Sequence, residues 1–341
     1  MEVALSGSEH RRHEIAAEED VGALRRAVAR TAAGQHALRA GVAELVATEL
    51  GTNLLRHAEP GGYVLARRAG EGIELISVDH GPGMTAAVLA PPTHMAPPPY
   101  RGSGLSAGLN VVRRHATEFD WYSTRRGTVV YAMLGPIAPA PHGSWRFGAV
   151  NVPLGGDGES GDAWAVAPGP QTAALVVDGL GHGPGAAAAA RAAITVFRQQ
   201  VPVTDLDRLV RHAHEALRAT RGGVLGACLI DPDRGELIYA AVGNITGRVL
   251  TGTRSTHLLD RPGTLGTQLP LPTVRLQHCP WEPGSTLVLA SDGIRSGWNL
   301  EEHPHLLDRH PAIIAAALHR EYGRTTDDAT VLVVRDTRGM A

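Results

Sequence analysis

Aspartates recur at the ends of apolar runs in the second half of this 341-residue chain. Asp178 closes "ALVVDGLGHG", Asp292 closes "LVLASDGIRSG", Asp327 precedes the apolar run of "TTDDATVLVV", and Asp162 lies in "ESGDAWAV". Asp-Gly after an apolar run usually marks a hairpin. Here a glycine loop and a helical pattern follow Asp178, and "IRSGWN" follows Asp292, so neither run returns at once as a strand. Carboxylates that converge from strand ends repel one another unless cations are bound. Oxygen donors with room for water suit Mg²⁺ or Mn²⁺. Zinc fits less well, because none of the 17 histidines has a Cys or His neighbour at ligand spacing. His212 and His214 fall on different faces of one helix, where solvation is expected.

The first half carries a different constellation. In "ELVATELGTNLLRHA", Glu49 and Asn53 are four apart and share a helical face with Leu45 and Val46. A carboxylate and an amide turned inward are costly unless something pairs with them. The run "IELISVD" continues as "DHGPGM", which sets Asp79 at a strand end before Gly81 and Gly83. "GSGLSAGL" leads into a helix whose first N–H groups and dipole favour a phosphate. Taken singly, Glu49 reads as a solvated helix residue and "DHGPG" as a turn. "GSGLSAG" follows a Pro-rich tract rather than a strand, which rejects a dinucleotide-binding βαβ unit. Gly51 is an oddity, since mid-helix glycine costs about 1 kcal/mol relative to alanine.

The elements that must position these groups follow from periodicity. "EEDVGALRRAVARTAAG" places Val21, Leu24, Val28 and Thr31 at helical spacing, with Asp20 as its cap and Gly34 at its end. A second helix is predicted over 37–57, then two strands joined by a hairpin loop. A Pro- and Ala-rich tract over 84–103 follows, either a functional lid or a disordered excursion. A helix and two more strands complete an α+β sandwich with helices on one face of a mixed sheet. "GPIAPAPHGS" supplies a linker over 136–144 between a first domain at 1–135 and a second at 145–336. The second domain reads as a β-sandwich flanked by two helices, "PGAAAAARAAITVFRQQ" and "TDLDRLVRHAHEALRAT".

Composition bounds the rest. The chain is 43% hydrophobic and 19% charged with a net charge of −2, so no global field favours nucleic acid or an anionic membrane. Nucleic acid and membrane are therefore not expected as partners. Cys228 and Cys279 lie far apart in apolar surroundings and read as reduced core residues of a cytoplasmic protein. The opening residues have no apolar core of signal-peptide length.

In this order the motifs of the first half resemble the GHKL ATPase fold, in particular the anti-sigma-factor serine kinases of the RsbT/RsbW type. "ELVATELGTNLLRHA" is similar to that family's N-box, "DHGPG" to its first glycine box and "GSGLSAGL" to its second. The resemblance implies ATP with Mg²⁺ as cofactor. Asn53 would coordinate the Mg²⁺, Glu49 would act as general base towards a protein hydroxyl, and Asp79 would bond the adenine amino group. Gly81, Gly83, Gly102, Ser103, Gly104, Leu105, Gly108 and Thr128 would complete the nucleotide site.

"SGDAWAV", "VVDGLGHGPGA", "ASDGI" and "TDDATVLVV" resemble the SpoIIE/RsbX branch of the metal-dependent (PPM) serine/threonine phosphatases. That resemblance implies two Mn²⁺ or Mg²⁺ ions. Asp178 would bridge them, the Gly179 carbonyl would bind one, Asp292 and Asp327 would complete the centre, and Asp162 would hold its water. Asp327 is assigned as the ligand and Asp328 as its support, with the reverse assignment open. The two resemblances together imply a partner-switching regulator acting on a STAS-domain protein of the anti-anti-sigma type, with a sigma factor as a further partner. The alternative is a phosphatase whose first domain binds ATP and partners without catalysis.

Overall fold

A computed structural model of the chain describes residues 5–59, 61–84, 105–136, 145–271 and 273–338. It divides into two compact units, Arg11–Ala138 and the combination of Met1–His10 with Pro139–Ala341. The expected first domain began at residue 1. The structure instead gives residues 5–10 to the second unit, because Leu5 and His10 make their backbone hydrogen bonds with Val166 and Asn151.

The unit Arg11–Ala138 is one five-stranded sheet in the order β1-β2-β3-β5-β4. Its strands are β1 (Arg11–Ile15), β2 (Gly62–Ala69), β3 (Gly72–Asp79), β4 (Glu118–Thr124) and β5 (Gly127–Leu134). Every pairing is antiparallel, not mixed as expected. Short hairpins join β2 to β3 and β4 to β5, and such connections permit no other direction. The helices are α1 (Glu18–Ala32), α2 (Val42–His57) and α3 (Leu105–His115). Leu24, Val46, Leu50 and Leu109 on these helices share a core with Val64, Leu75, Val130 and Ala132 of the sheet.

Two local expectations change. Asp20 is the third helical residue of α1 rather than its cap, and its Oδ2 accepts the N–H groups of Ala16 (2.9 Å) and Ala17 (2.8 Å). Helix α2 begins at Val42, after Gly41 at φ 78°. Gly51 has a packing reason: a Cβ there would lie 3.2 Å from Val21 Cγ2 and 3.4 Å from Leu24 Cδ2, so the glycine brings α1 close to α2.

The second unit packs two five-stranded sheets face to face, β13-β10-β9-β8-β7 and β12-β11-β14-β15-β6. These strands are β6 (Trp145–Val152), β7 (Asp162–Ala167), β8 (Thr172–Gly179), β9 (Gly223–Asp231), β10 (Glu236–Val242), β11 (Thr246–Thr251), β12 (Arg254–Leu258), β13 (Gln277–Pro280), β14 (Thr286–Ala290) and β15 (Ala329–Asp336). Alternation along β8 sorts its side chains between two cores. Ala174 and Val176 join Trp164, Tyr239, Trp281, Leu289 and Leu332 between the sheets. Leu175 and Val177 meet Phe197 and Leu209 of α4 (Pro184–Gln199) and α5 (Leu206–Leu217). Cys228 and Cys279 are both buried, unbridged, and in the core between the sheets.

A third helix, α6 (Pro311–Tyr322), was not expected. Its Ala/Ile run has no clear period, and only Pro311 at its start marked it. His214 is also buried rather than solvated, and its Nδ1 accepts from Gly266 N at 3.2 Å. Among the described residues, no helix is long and apolar enough to cross a membrane.

Candidate metal centre and nucleotide pocket

Antiparallel pairing brings five carboxylates from four stretches of the sequence to one end of the sandwich. Asp162 opens β7 and Asp178 stands at the end of β8, directly opposite it in the ladder. Asp292 follows β14, and Asp327 and Asp328 precede β15, which pairs with β14. Asp178, Asp292 and Asp327 line a single pocket together with Asp260 and Asn244.

Asp327 and Asp328 are told apart by their hydrogen bonds. Asp328 spends both oxygens on backbone, accepting from Leu154 N (2.7 Å) and Gly161 N (2.8 Å). Asp327 faces the pocket. The glycines of these motifs allow close approach. A Cβ on Gly293 would fall 1.9 Å from the Asp328 carbonyl oxygen, and one on Gly179 would fall 2.3 Å from that of Ala186.

Burial, followed by the charges of Asp162, Asp292, Asp327 and Asp328, pushes Asp178 up to about 9. Burial also raises Asp162, to about 7; the Ser291 hydrogen bond opposes this and the Asp328 charge adds to it. Asp327 is raised too, chiefly by burial. Such a set of acids is relieved by a cation, and its all-oxygen donors fit Mg²⁺ or Mn²⁺. Among the described residues no three Asp, Glu, His or Cys side chains are already drawn together tightly enough to hold an ion.

Asp162 does not line the pocket. It is buried, and its Oδ2 accepts from Ser291 Oγ at 2.6 Å. Ser291 Oγ also accepts from Thr330 N (2.9 Å), so one hydroxyl links β15 of one sheet to this acid on β7 of the other. Asn244 was missed by the sequence reading; its Nδ2 donates to Asp292 Oδ2 at 2.8 Å. Asn244 and Asp260 both follow apolar runs, the same pattern that revealed the other acids.

In the other unit, Asn53, Asp79, Gly83 and Thr128 line one pocket with Leu50, Leu54, Leu109 and Val130. Asp79 Oδ1 accepts from Gly81 N (2.7 Å) and Thr128 N (3.1 Å), which fixes the carboxylate. Ser123 Oγ joins Met84 N (2.7 Å) to the Thr128 hydroxyl (3.0 Å). Gly83, at φ 82°, would put a Cβ 2.3 Å from the Thr124 carbonyl oxygen. Gly108 brings α3 against α2, since a Cβ there would sit 2.8 Å from Glu49 Oε2 and 3.1 Å from Asn53 Oδ1. The buried Asn53 Nδ2 has no hydrogen-bond partner, so a polar ligand would satisfy it. Glu49 is near but does not line the pocket. His57 and Ser77 line it and were not foreseen. Gly102, Ser103 and Gly104, with 85–101 of the expected lid and 137–144 of the linker, lie outside the described residues. Leu105 opens α3.

Two family descriptions match the chain in the order of these sites. The histidine kinase-like ATPase domain matches residues 15–134, and stage II sporulation protein E (SpoIIE) matches residues 168–336. The chain joins a histidine kinase-like ATPase domain to a SpoIIE domain of the PPM fold.

The solved structure reported as "The bacterial stressosome: a modular system that has been adapted to control secondary messenger signaling" is 30% identical. The match covers 56% of this chain and 99% of that one, with a TM-score of 0.51. RsbX in complex with magnesium is 19% identical, covering 57% of this chain and 96% of its own, also with a TM-score of 0.51, and shows the fold. No curated protein matches the chain in sequence. Asp178, Asp292 and Asp327 fall inside the SpoIIE match, whereas Asp162 precedes it. The ATPase match contains Glu49, Asn53, Asp79, Gly108 and Thr128.

Proposed function

We propose that the SpoIIE domain is a metal-dependent phosphatase for phosphoserine or phosphothreonine on a STAS-domain protein, and that the ATPase domain phosphorylates the same class of protein. The observation that carries the first part is the pocket shared by Asp178, Asp292 and Asp327, with Asp178 pushed up to about 9 by burial and its acidic neighbours. Two bound Mn²⁺ or Mg²⁺ ions would supply a water of lowered pKa and neutralise the phosphoryl oxygens. Asp178, the Gly179 carbonyl, Asp292 and Asp327 would hold them. Asn244 orients Asp292 through its 2.8 Å bond. Asp162 keeps the rear of the site in place through Ser291.

In the ATPase domain, Asp79 would recognise the adenine amino group and Asn53 would take the Mg²⁺ of ATP. Glu49, next to Asn53 across Gly108, would accept the proton of the attacked hydroxyl. A second reading, an ATP-dependent binding module without transfer, is supported by Glu49 lying outside the pocket lining.

One experiment separates these readings. The full chain is incubated with a STAS protein and labelled ATP, and separately with the serine-phosphorylated STAS protein and Mn²⁺. Phosphate release that Asp178→Asn abolishes supports the phosphatase. Label transfer that Glu49→Ala abolishes supports the kinase, and ATP binding without transfer supports the binding module.

A further inference from the structure

Residues 5–10 lie outside both matched ranges, yet they belong to the unit that carries the acid cluster. At one end of this segment, Leu5 N donates to Val166 O and Val166 N donates to Leu5 O, both at 2.7 Å. At the other end, His10 N donates to Asn151 O at 2.7 Å, and His10 Nδ1 accepts from Asn151 N at 3.2 Å. Between them, the Ser6 hydroxyl accepts from Arg198 Nη2 on α4. Val166 is on β7 and Asn151 on β6, and each of these strands is the last of its sheet. The segment therefore pairs with the open edges of both sheets, whose N–H and C=O groups need partners.

The two ends differ in kind. Leu5 offers main chain alone, which is all that edge covering requires. His10 is fully buried and adds a ring nitrogen aimed at the amide of Asn151. Asn151 is itself buried, and its Nδ2 donates to the Asp162 carbonyl oxygen at 3.0 Å. Asp162 stands opposite Asp178 in the β7–β8 ladder. A continuous path of hydrogen bonds thus runs from His10 through Asn151 to the strand start that faces the central acid of the pocket.

We infer that His10 is a positioning residue of the phosphatase site: it fixes Asn151, and through Asn151 the backbone of Asp162, at the spacing from Asp178 that cation binding needs. This rests on the reading of Asp178, Asp292 and Asp327 as cation ligands. Groups that orient ligands from behind change metal affinity more than the chemistry of the loaded site.

The test uses the full chain, stripped of metal and titrated with Mn²⁺ by calorimetry, with aryl phosphate hydrolysis followed against Mn²⁺ concentration. In His10→Ala, the Mn²⁺ dissociation constant and the Mn²⁺ needed for half-maximal rate both rise about ten-fold, while the rate at saturating Mn²⁺ stays within about two-fold of the parent. His10→Asn, whose amide oxygen can accept from Asn151 N, recovers most of the lost affinity. The double variant His10→Ala/Asn151→Ala is no worse than Asn151→Ala alone, because the two residues act in series. An unchanged dissociation constant in His10→Ala overturns the inference, as does simple additivity in the double variant. Should His10→Ala fail to fold, Asn151→Ala decides in the same way, and parental Mn²⁺ affinity there overturns it. Failure of the underlying reading looks different: Asp178→Asn would then bind Mn²⁺ as the parent does.

Discussion

Asp162 and Asp178 occupy directly opposed positions on β7 and β8, so two carboxylates share one face at one rung of a ladder. Their carboxyls are pushed up to about 7 and about 9, with burial as the main cause in both. The unfolded chain releases both protons near the ordinary value of 3.8. From there up to each raised value, the folded state holds protons that the unfolded state has lost. Stability of the metal-free protein therefore falls as pH rises through that window. Thermal melting in a chelator from about pH 5 to about pH 9 checks this, and a flat or rising melting temperature contradicts it. Added Mn²⁺ displaces these protons, so its stabilising effect grows over the same range.

Asp178→Asn removes the acid that burial and four neighbouring charges push up furthest. Phosphate release should fall about a hundred-fold or more. The metal-free variant should melt a few degrees higher than the parent near pH 8, because folding no longer has to take up a proton at this position. Loss of activity together with a lower melting temperature would point to misfolding instead.

Asp79 is held by the amides of Gly81 and Thr128, so its replacement should act on the ligand more than on the fold. ATP with Mg²⁺ at about 100 times its dissociation constant should stabilise the ATPase domain by about 2.7 kcal/mol, read as a rise in melting temperature. If Asp79 bonds the adenine amino group as proposed, Asp79→Asn should weaken ATP binding about ten-fold by removing a charge-assisted hydrogen bond. Equal stabilisation of the parent by ATP and GTP would count against that contact.

Gly108→Ala tests the closeness of α2 and α3. The new methyl would sit 2.8 Å from Glu49 Oε2 and 3.1 Å from Asn53 Oδ1. Overpacking of this kind costs about 1–3 kcal/mol. The Mg²⁺-dependent part of ATP binding should weaken along with it, because Asn53 is displaced. Calorimetry with ATP, in the presence and absence of Mg²⁺, separates the two effects.

The acids were legible in the sequence because a charge ending an apolar run has few structural uses, and Asp178, Asp292 and Asp327 do meet in one pocket. Asn53, Asp79, Gly83 and Thr128 meet in another: Asn53 was marked by its inward helical face, Asp79 and Gly83 by the glycine-rich strand end, and Thr128 by the family resemblance alone. What escaped notice depends on partners distant in sequence. "RRHEI" buries only Ile15, so β1 shows no alternation, and it becomes a strand only because β2 offers it an edge. Asn151 and Ser291 look like ordinary strand polar residues, and their roles exist only once β6, β7, β14 and β15 are placed side by side. The sequence favoured Asp327 over Asp328 as ligand but left the reverse open, and Leu154 N and Gly161 N occupy both oxygens of Asp328.

The segment at residues 5–10 also sets an order in time. It is made before every strand it pairs with, and its contacts span 141 residues from His10 to Asn151 and 192 from Ser6 to Arg198. Contacts of such separation form late, because a long intervening chain must first be brought to order. The ATPase domain can complete itself from residues already synthesised, while the two sheet edges of the SpoIIE domain must wait for a partner made long before them. Refolding followed by nucleotide binding should then run ahead of refolding followed by phosphate release. In the interval, β6 and β7 present unpaired edges, and this is when the chain is most exposed to joining another copy of itself.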